Sequence, residues 1–218
     1  MSVHIPITVV VVAGGDELPA TVAQLLPVGA FVIAADSGID RALELGWTVD
    51  LAIGDFDSVT PRGLQTVTNA GARIERHPPA KDATDLELAL DAARARQPDE
   101  IIVVGGHGGR LDHLLAGLLV LTRDAYSEVT VRAVNGHARV YVVRSTVEID
   151  AQPGAVVTLL PIAGPAHGVS TSGLRYPLNG ETLRPGSTRG VSNEFATSVA
   201  TISVTSGVLL AVVPTPDP

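Results

Sequence analysis

The chain contains no cysteine among its 218 residues, so disulfide bonds, thiolate metal ligands and a cysteine nucleophile are all excluded. Aromatic residues make up only 3% of the sequence, and aliphatic side chains must therefore fill the interior. Lysine and arginine form no cluster, and the net charge is −8. Both features argue against a nucleic-acid-binding surface, so we expect no nucleic-acid partner.

No hydrophobic run is long enough to predict a membrane span. The apolar run Ile7–Ala13 is too short and lacks a basic flank. Its β-branched residues, followed by Gly14 and Gly15, favour a buried strand instead. We identify no targeting segment, and the lack of disulfides is compatible with a reducing compartment. We therefore expect a cytoplasmic protein with no membrane partner.

The first two-thirds of the chain alternates strand and helix patterns. The predicted strands are Ile5–Ala13, Ala30–Ala35, Asp50–Ile53, Arg73–Arg76, Glu100–Val104 and Glu128–Ala133. The predicted helices are Glu17–Leu26, Ile39–Leu45, Arg62–Ala70, Leu86–Arg96 and Leu111–Arg123. Several strands are continuous apolar runs, which are typical of strands buried on both faces. This pattern predicts an α/β fold in which helices flank a mostly parallel, Rossmann-like sheet.

Helical periodicity disappears after about Asn135. Short β-rich segments then alternate with Gly, Pro, Ser and Thr, and they predict a small antiparallel β-sandwich. Its predicted strands are Arg139–Val143, Val156–Leu160, Val199–Val204 and Val208–Val213. We expect two domains, residues 1–138 and 139–218, and a frayed tail at Pro214–Pro218.

Acidic and glycine-rich segments follow the predicted strands, where open parallel sheets bind their ligands. They are Asp36-Ser37-Gly38, Gly54–Ser58, Lys81–Asp85 and Gly105–His113. Asp55 and Asp57 are two residues apart, so in an extended segment their carboxylates point the same way. Paired oxygen ligands with open positions suit Mg²⁺ and substrate phosphates. An ordinary turn is the alternative, because Asp and Ser commonly close loops.

The segment from Lys81 to Glu87 has two interpretations. Thr84 and Glu87 have the spacing of a capping box, in which Asp85 would merely favour the helix dipole. However, a cap does not require the extra charges of Lys81 and Asp82, so Asp85 is also a candidate site residue.

Four glycines occupy the five positions Gly105–Gly109, between a predicted strand and a helix. Backbone amides in such a loop can bind phosphate oxygens. The spacing matches neither a Walker A loop nor a dinucleotide fingerprint, and a tight turn is the alternative. Arg110 can form a forked contact with phosphate. Asp112 and His113 follow directly, either as site residues or as solvated residues of the first helical turn.

Two other kinds of site are disfavoured. The six histidines lack zinc-ligand spacing; they are His4, His77, His107, His113, His137 and His167. No Gly-x-Ser-x-Gly segment is present, so a serine-hydrolase elbow is absent.

Taken in order, four motifs resemble the thiamine pyrophosphokinase family. They are Asp36-Ser-Gly, Gly54-Asp-Phe-Asp-Ser58, Lys81-Asp-x-Thr-Asp85 and Gly108-Gly-Arg-x-Asp-His113. Three later segments resemble that family's thiamine-binding β domain: Gly173-Leu-x-Tyr176, Gly190-Val-Ser-Asn-Glu194 and Gly207-Val-Leu-Leu210. The resemblance implies a homodimeric, Mg²⁺-dependent enzyme. Its reaction would transfer pyrophosphate from ATP to the hydroxyl of thiamine, giving thiamine diphosphate and AMP.

The resemblance also implies a role for each matching residue. Residues expected to serve Mg²⁺ and the phosphates are Asp55, Asp57 and Asp85. Residues expected near the transferred group are Arg110 and Asp112. Residues expected to bind the nucleotide are Asp36, Ser37, Lys81, Thr84, Gly108, Gly109 and His113. Ser192 and Asn193 would face thiamine, in a cleft completed by the second subunit.

Two positions depart from the family pattern. Many relatives have a lysine where this chain has Leu88, so that phosphate contact is either missing here or made by Lys81 or Arg110. Some relatives place an aromatic residue near the C-terminus, but Gly207–Val213 contains none.

Two other functions remain open at this point. Asp55-x-Asp57-x-Val59 also matches the aspartyl-nucleophile signature of haloacid dehalogenase-like phosphohydrolases, although there the motif follows the first strand. The second is a non-catalytic nucleotide or thiamine sensor on the same fold.

Overall fold

Residues 6–215 are described by the computed structural model, and they divide at Gly136 and His137 into two units. We call residues up to Gly136 unit 1 and residues from His137 unit 2. His4, Ile5 and the last three residues of the predicted tail lie outside the described range. No helix within that range has the length and hydrophobicity needed to cross a membrane.

Six parallel strands form the sheet of unit 1. They are β1 (Thr8–Val12), β2 (Phe31–Ala35), β3 (Leu51–Gly54), β4 (Arg73–Arg76), β5 (Glu100–Val104) and β6 (Thr130–Asn135). Their order is β4-β3-β2-β1-β5-β6, and every described pairing among them is parallel. Strands β2, β3 and β4 are added in turn on one side of β1, and β5 and β6 are then added on its other side. This reversal creates a switch point between β1 and β5, where such sheets bind ligands.

Four α-helices accompany these strands. They are α1 (Gly38–Glu44), α2 (Pro61–Asn69), α3 (Asp85–Arg94) and α4 (Leu111–Val120). The helix predicted at Glu17–Leu26 is wrong in type, because the structure has a 3₁₀ helix at Ala20–Leu25. Pro19 is extended and disfavours helical geometry at the residue before it, so an α-helix cannot begin at Glu17. A second 3₁₀ helix spans Asp124–Tyr126.

Strands β1, β2, β3 and β5 are buried on both faces, as their continuous apolar runs predicted, whereas the edge strand β4 has no buried residue. Val10 and Val12 pack in a cluster with Trp47. Val9 and Val11 alternate with them and point to the other face. On α3, which contacts β1, β2, β3 and β5, Ala89, Leu90 and Ala93 are all buried.

Unit 2 is antiparallel and rich in strands. They are β7 (Ala138–Val143), β8 (Thr146–Asp150), β9 (Val156–Ser172), β10 (Glu181–Leu183), β11 (Asn193–Glu194), β12 (Val199–Ser203) and β13 (Ser206–Pro214). β9 pairs with β10, β11, β12 and β13, while β7 pairs with β13 and β8 with β12. The predicted fold class, a parallel α/β sheet followed by an antiparallel β domain, is confirmed.

Strand β9 is much longer than the predicted Val156–Leu160. Its second half contains Pro161, Gly164 and Pro165, which in the sequence indicate turns. In the structure the strand continues through them, with positive φ angles of 61° at Ala163 and 149° at Gly164. Pairing with several neighbours at once stabilises this irregular segment, a long-range effect that local patterns do not reveal.

Candidate active site

The carboxyl ends of the unit 1 strands surround a cavity of about 680 Å³. It lies at the switch point between β1 and β5, where Gly14 and Gly15 approach Gly105 and Gly106. The amide of Gly106 donates to the carbonyl of Gly14 at 2.7 Å. Gly105 has a φ of 98°, and a Cβ there would collide with the carbonyl oxygen of Ala13. The glycines therefore allow two backbone segments to meet at the cavity wall.

Many of the predicted site residues line this cavity. They are Asp36, Ser37, Asp55, Asp57, Lys81, Thr84, Asp85, Gly108, Gly109, Arg110 and His113. Sequence reasoning missed the Gly14-Gly15-Asp16 segment, which also lines it. A signal was available, since these glycines follow a buried strand in the same way as Gly105 and Gly106.

Three carboxylates come together at the ends of β2 and β3. Asp36, Asp55 and Asp57 each offer an oxygen atom, and these atoms all lie within 4.8 Å of one another. Asp36 is only 9% exposed, its Oδ1 has no hydrogen-bond partner, and burial raises the pKa of its carboxyl group. An all-oxygen donor set with an unpartnered buried atom is suited to a hard divalent cation.

The backbone bearing these carboxylates adopts unusual conformations. Asp36 and Phe56 have positive φ angles of 46° and 62°, which are uncommon for residues other than glycine. Gly54 has a φ of 146°, and a Cβ there would lie 3.1 Å from Asp85 Oδ1 and 3.3 Å from Asp36 Cβ. Arg76 supports the Phe56 turn by donating to the carbonyl of Asp55 at 2.7 Å and by lying over the Phe56 ring. Backbone strain of this kind is typical of functional sites.

Lys81 bridges two of the predicted carboxylates. Its Nζ lies 3.0 Å from Asp55 Oδ2 and 3.0 Å from Asp85 Oδ1. The hydrogen bond from Lys81 lowers the pKa of Asp55. Burial acts to lower the pKa of Lys81, but its hydrogen bond to Asp55 and its ion pair with Asp85 outweigh that effect and raise the pKa. The Asp85 carboxylate is thus paired with the Lys81 ammonium group. The cluster of three neighbouring carboxylates consists of Asp36, Asp55 and Asp57 and does not include Asp85.

Thr84 does cap α3, as one interpretation of the Lys81–Glu87 segment proposed. Its hydroxyl accepts a hydrogen bond from the Glu87 amide at 3.2 Å. Asp85 occupies the first turn, where a negative charge is favourable. The two interpretations are compatible, because the cap also points the Asp85 carboxylate toward Lys81.

Arg110 and Asp112 form a forked ion pair at the start of α4. Arg110 Nε lies 3.1 Å from Asp112 Oδ1, and Nη2 lies 2.5 Å from Oδ2. The guanidinium lowers the pKa of Asp112 to about 2. Arg110 and His113 line the cavity, whereas Asp112 is not among its lining residues. Asp112 is therefore a solvent-exposed partner of Arg110 outside the cavity lining.

Unit 2 has its own cavity of about 480 Å³, which Ser192 and Asn193 line. The Asn193 side chain is buried, and its Nδ2 donates to the carbonyl of Tyr176 at 2.7 Å. Its Oδ1 accepts from the amides of Tyr176 and Glu194 at 3.1 and 2.9 Å. Tyr176 also lines this cavity and is half-exposed. It belongs to the Gly173-Leu-x-Tyr176 segment that carries part of the family resemblance, and it places an aromatic ring at this cavity although Gly207–Val213 contains none.

Asp40 is a second residue that sequence reasoning missed. Its carboxylate on α1 accepts from the Thr60 amide at 2.9 Å and from the Thr60 hydroxyl at 2.6 Å. Thr60 in turn caps α2 by accepting from the Gly63 amide at 3.0 Å. Asp40 and Thr60 are twenty positions apart, so no local motif reveals the contact.

Both units match known family models. The family model described as "Thiamin pyrophosphokinase, catalytic domain" matches residues 22–133. The model described as "Thiamin pyrophosphokinase, vitamin B1 binding domain" matches residues 144–209. A thiamine pyrophosphokinase of Bacillus subtilis is 31% identical over 183 residues, which cover 83% of this chain and 85% of the relative. The chain belongs to the thiamine pyrophosphokinase family.

Solved structures support the same assignment. The Bacillus subtilis thiamine pyrophosphokinase structure superposes with a TM-score of 0.85 at 29% identity, covering 96% of this chain and 100% of that one. A Geobacillus thermodenitrificans thiamin pyrophosphokinase gives a TM-score of 0.82 at 26% identity, covering 97% and 99%. The family resemblance carried by the sequence motifs is therefore confirmed.

Proposed function

We propose that this chain is an enzyme that transfers the pyrophosphoryl group of ATP to the hydroxyl of thiamine, giving thiamine diphosphate and AMP. The observation that carries the proposal is the match of both units to the two domains of one enzyme family. The cluster of carboxylates formed by Asp36, Asp55 and Asp57, beside a cavity lined by glycines, supports the proposal. Unit 1 would bind ATP and unit 2 would bind thiamine.

Asp36, Asp55 and Asp57 fit the proposed Mg²⁺, because they offer only oxygen atoms and Asp36 Oδ1 has no partner. Bound Mg²⁺ would neutralise negative charge on the phosphates as the thiamine oxygen attacks in line. Asp85 stays a predicted residue of the Mg²⁺ and phosphate site, where it would act either directly or through its ion pair with Lys81.

The other residues of unit 1 would bind and orient the triphosphate. The proposed nucleotide contacts are Ser37, Lys81, Thr84, Gly108, Gly109 and His113, whereas Asp36, which the resemblance placed on the nucleotide side, is proposed to act through the metal ion. Arg110 would contact the transferred phosphoryl groups and stabilise their developing charge. Asp112, whose pKa is lowered to about 2, is a weak base near neutral pH. We therefore propose that Asp112 orients Arg110 or the hydroxyl, rather than removing the proton.

Thiamine would bind in the unit 2 cavity. We propose that Tyr176 offers its aromatic face to a thiamine ring, while Ser192 supplies a polar contact. Asn193 would act mainly by holding the backbone of Tyr176, because both polar atoms of its amide are already engaged there.

We further propose a cytoplasmic homodimer whose thiamine site lies at the subunit interface. The exposed leucines of α4 support the dimer. Leu111, Leu115 and Leu119 recur every four residues, so they form one apolar stripe on that helix. They are 67%, 53% and 51% exposed in the single chain.

The decisive test is to incubate the purified protein with ATP, Mg²⁺ and thiamine and to separate the products by chromatography. We expect AMP and thiamine diphosphate in equal amounts. Asp57→Asn removes one charged oxygen donor, and it should lower turnover by about 10² or more, the usual loss for one preorganised stabilising group. Near-normal turnover in this variant would exclude Asp57 from the site.

Other outcomes would identify the rival functions. Release of inorganic phosphate without AMP would indicate a phosphohydrolase. Binding of ATP or thiamine without any product would indicate a sensor. Either result would contradict the proposed transfer.

A further inference from the structure

Lys81 occupies a position in which a cation contacts two carboxylates of the site. Its Nζ is 3.0 Å from both Asp55 Oδ2 and Asp85 Oδ1, and its side chain is mostly buried. Asp55 also belongs to the group of carboxylates that fits a divalent cation. One carboxylate is therefore shared between the ammonium group and the proposed metal site.

Because Asp55 is shared, Lys81 competes with a free divalent cation for this carboxylate. A metal ion bound by Asp36, Asp55 and Asp57 would compete with Lys81 for the Asp55 carboxylate, and the two positive charges would repel each other at close range. A triphosphate changes this balance, because its anionic oxygens can bind the metal ion and attract the ammonium group at the same time. Lysine carries its charge on a flexible four-carbon stem, which allows such an exchange of partners.

We infer that Lys81 selects the metal–nucleotide complex over the free metal ion. Without nucleotide, Lys81 lowers the affinity of the carboxylates for a divalent cation. When the nucleotide arrives, Lys81 turns to its phosphates and releases Asp55 to the metal. The inference rests on the proposed Mg²⁺ and ATP site, and it adds a positive coupling between the two ligands. By linkage, metal must then tighten nucleotide binding by the same factor.

The test measures Mn²⁺ binding by electron paramagnetic resonance, with and without α,β-methylene ATP, which lacks the cleavable bond. Wild-type protein should bind Mn²⁺ at least about 10-fold more tightly with the analogue present, within the usual range of coupling factors. Lys81→Met should bind Mn²⁺ about 10-fold more tightly than wild type without the analogue, and its coupling should shrink. A purely structural role for Lys81 predicts the opposite sign, because a disordered site would bind Mn²⁺ less tightly.

Two further variants make the comparison specific. Arg73→Met removes the same charge from an exposed side chain that contacts Glu75, and it should leave Mn²⁺ affinity within a factor of about 2. Lys81→Arg keeps the positive charge, and it should keep free Mn²⁺ binding as weak as in wild type. Circular dichroism of each variant would verify that it folds.

A measurement on the unaltered sequence covers the case in which Lys81→Met fails to fold. Lys81 is the only lysine in the chain, so reductive ¹³C-methylation labels one side-chain amine, besides the α-amino group. Its NMR signal should change little with Mg²⁺ alone and shift when Mg²⁺ and the analogue are added together.

Contrary results are distinguishable. Equally tight Mn²⁺ binding with and without the analogue, or a full NMR shift with Mg²⁺ alone, would overturn the role of Lys81 and leave the proposed metal site intact. Failure of wild-type protein to bind Mn²⁺ even with the analogue would overturn both the metal site and this inference.

Discussion

Asp36 combines three features that oppose folding. Its side chain is 9% exposed, its φ is 46°, and its Oδ1 has no hydrogen-bond partner. Burial raises the pKa of its carboxyl group, although the backbone amides of Ser37 and Ser58 oppose this effect. Features of this kind are typical of functional sites, and the neighbouring Asp55 and Asp57 are consistent with the proposed cation.

Asp36→Asn should stabilise the metal-free protein by roughly 0.5–2 kcal/mol near pH 7, the usual gain when a destabilised functional residue is relieved. Asparagine tolerates positive φ and carries no charge to desolvate. A raised pKa means that folding disfavours the ionised carboxylate. The penalty grows as the pH rises from the ordinary aspartate pKa through the raised one, and it is complete above that value. The gain should therefore shrink near pH 4.

Urea unfolding in the presence of EDTA, at both pH values, would measure this difference. Asp57→Asn is the matched control, because it makes the same chemical change at an exposed carboxylate with a normal backbone. It should alter stability by less than about 0.5 kcal/mol. Destabilisation by Asp36→Asn at neutral pH would show that the charge of Asp36 already has a partner in the fold.

The loop between β3 and α2 is anchored at both ends by residues other than the three clustered aspartates Asp36, Asp55 and Asp57. Arg76 supports the Asp55 carbonyl near its start, and Asp40 binds Thr60 at its end. Because Asp40 lies on α1, which begins just after Asp36, its contact joins the segments that carry the three carboxylates. Positioning of the site thus depends on two helices that follow adjacent strands.

Asp40→Ala should destabilise the protein by about 1–3 kcal/mol, because it leaves the amide and hydroxyl of Thr60 without their acceptor. It should also weaken Mn²⁺ binding, since the loop bearing Asp57 loses its anchor. Urea unfolding and Mn²⁺ titration would measure the two effects. Glu44→Ala, on the same helix, removes only a solvent-exposed ion pair with Arg41 and should cost less than about 0.5 kcal/mol. Equal effects of the two variants would contradict the anchoring role.

The leucines of α4 distinguish this helix from the other three. α1, α2 and α3 each bury residues in the core, whereas none of the residues of α4 is fully buried. Exposed apolar stripes are costly in water, and they commonly mark association surfaces. The proposed homodimer gives this stripe a partner.

Leu115→Glu should shift the protein from dimer to monomer at micromolar concentration, because a charge at the centre of an apolar interface is costly to bury. Size-exclusion chromatography with light scattering would measure the mass. Val28→Glu is the control, since Val28 is a fully exposed apolar residue outside α4. It should leave the dimer intact. A wild-type monomer at all concentrations would refute the dimer.

The sequence was sufficient to predict the elements that local patterns encode. Buried apolar runs identified the central strands of unit 1, and Thr84 marked the start of α3. The motifs also indicated many of the residues that line the cavity, because strands of a parallel sheet end at one edge. The length of β9 was not predictable in this way, because its proline and glycine residues have the same local preferences in a turn as in an irregular strand. The α-helix predicted at Glu17–Leu26 was wrong because that prediction gave too little weight to Pro19.

Only the tertiary structure revealed which carboxylates are partners. Spacing paired only Asp55 with Asp57, and the family resemblance added Asp85 to that pair and placed Asp36 on the nucleotide side. The order of β1, β2 and β3 brings Asp36 beside Asp55, whereas Lys81 holds Asp85. The physical reason is that composition and periodicity specify what each segment buries. Contacts between side chains that are far apart in the sequence, such as Asp36 and Asp55, depend on strand order and on the conformation of the turns that follow each strand.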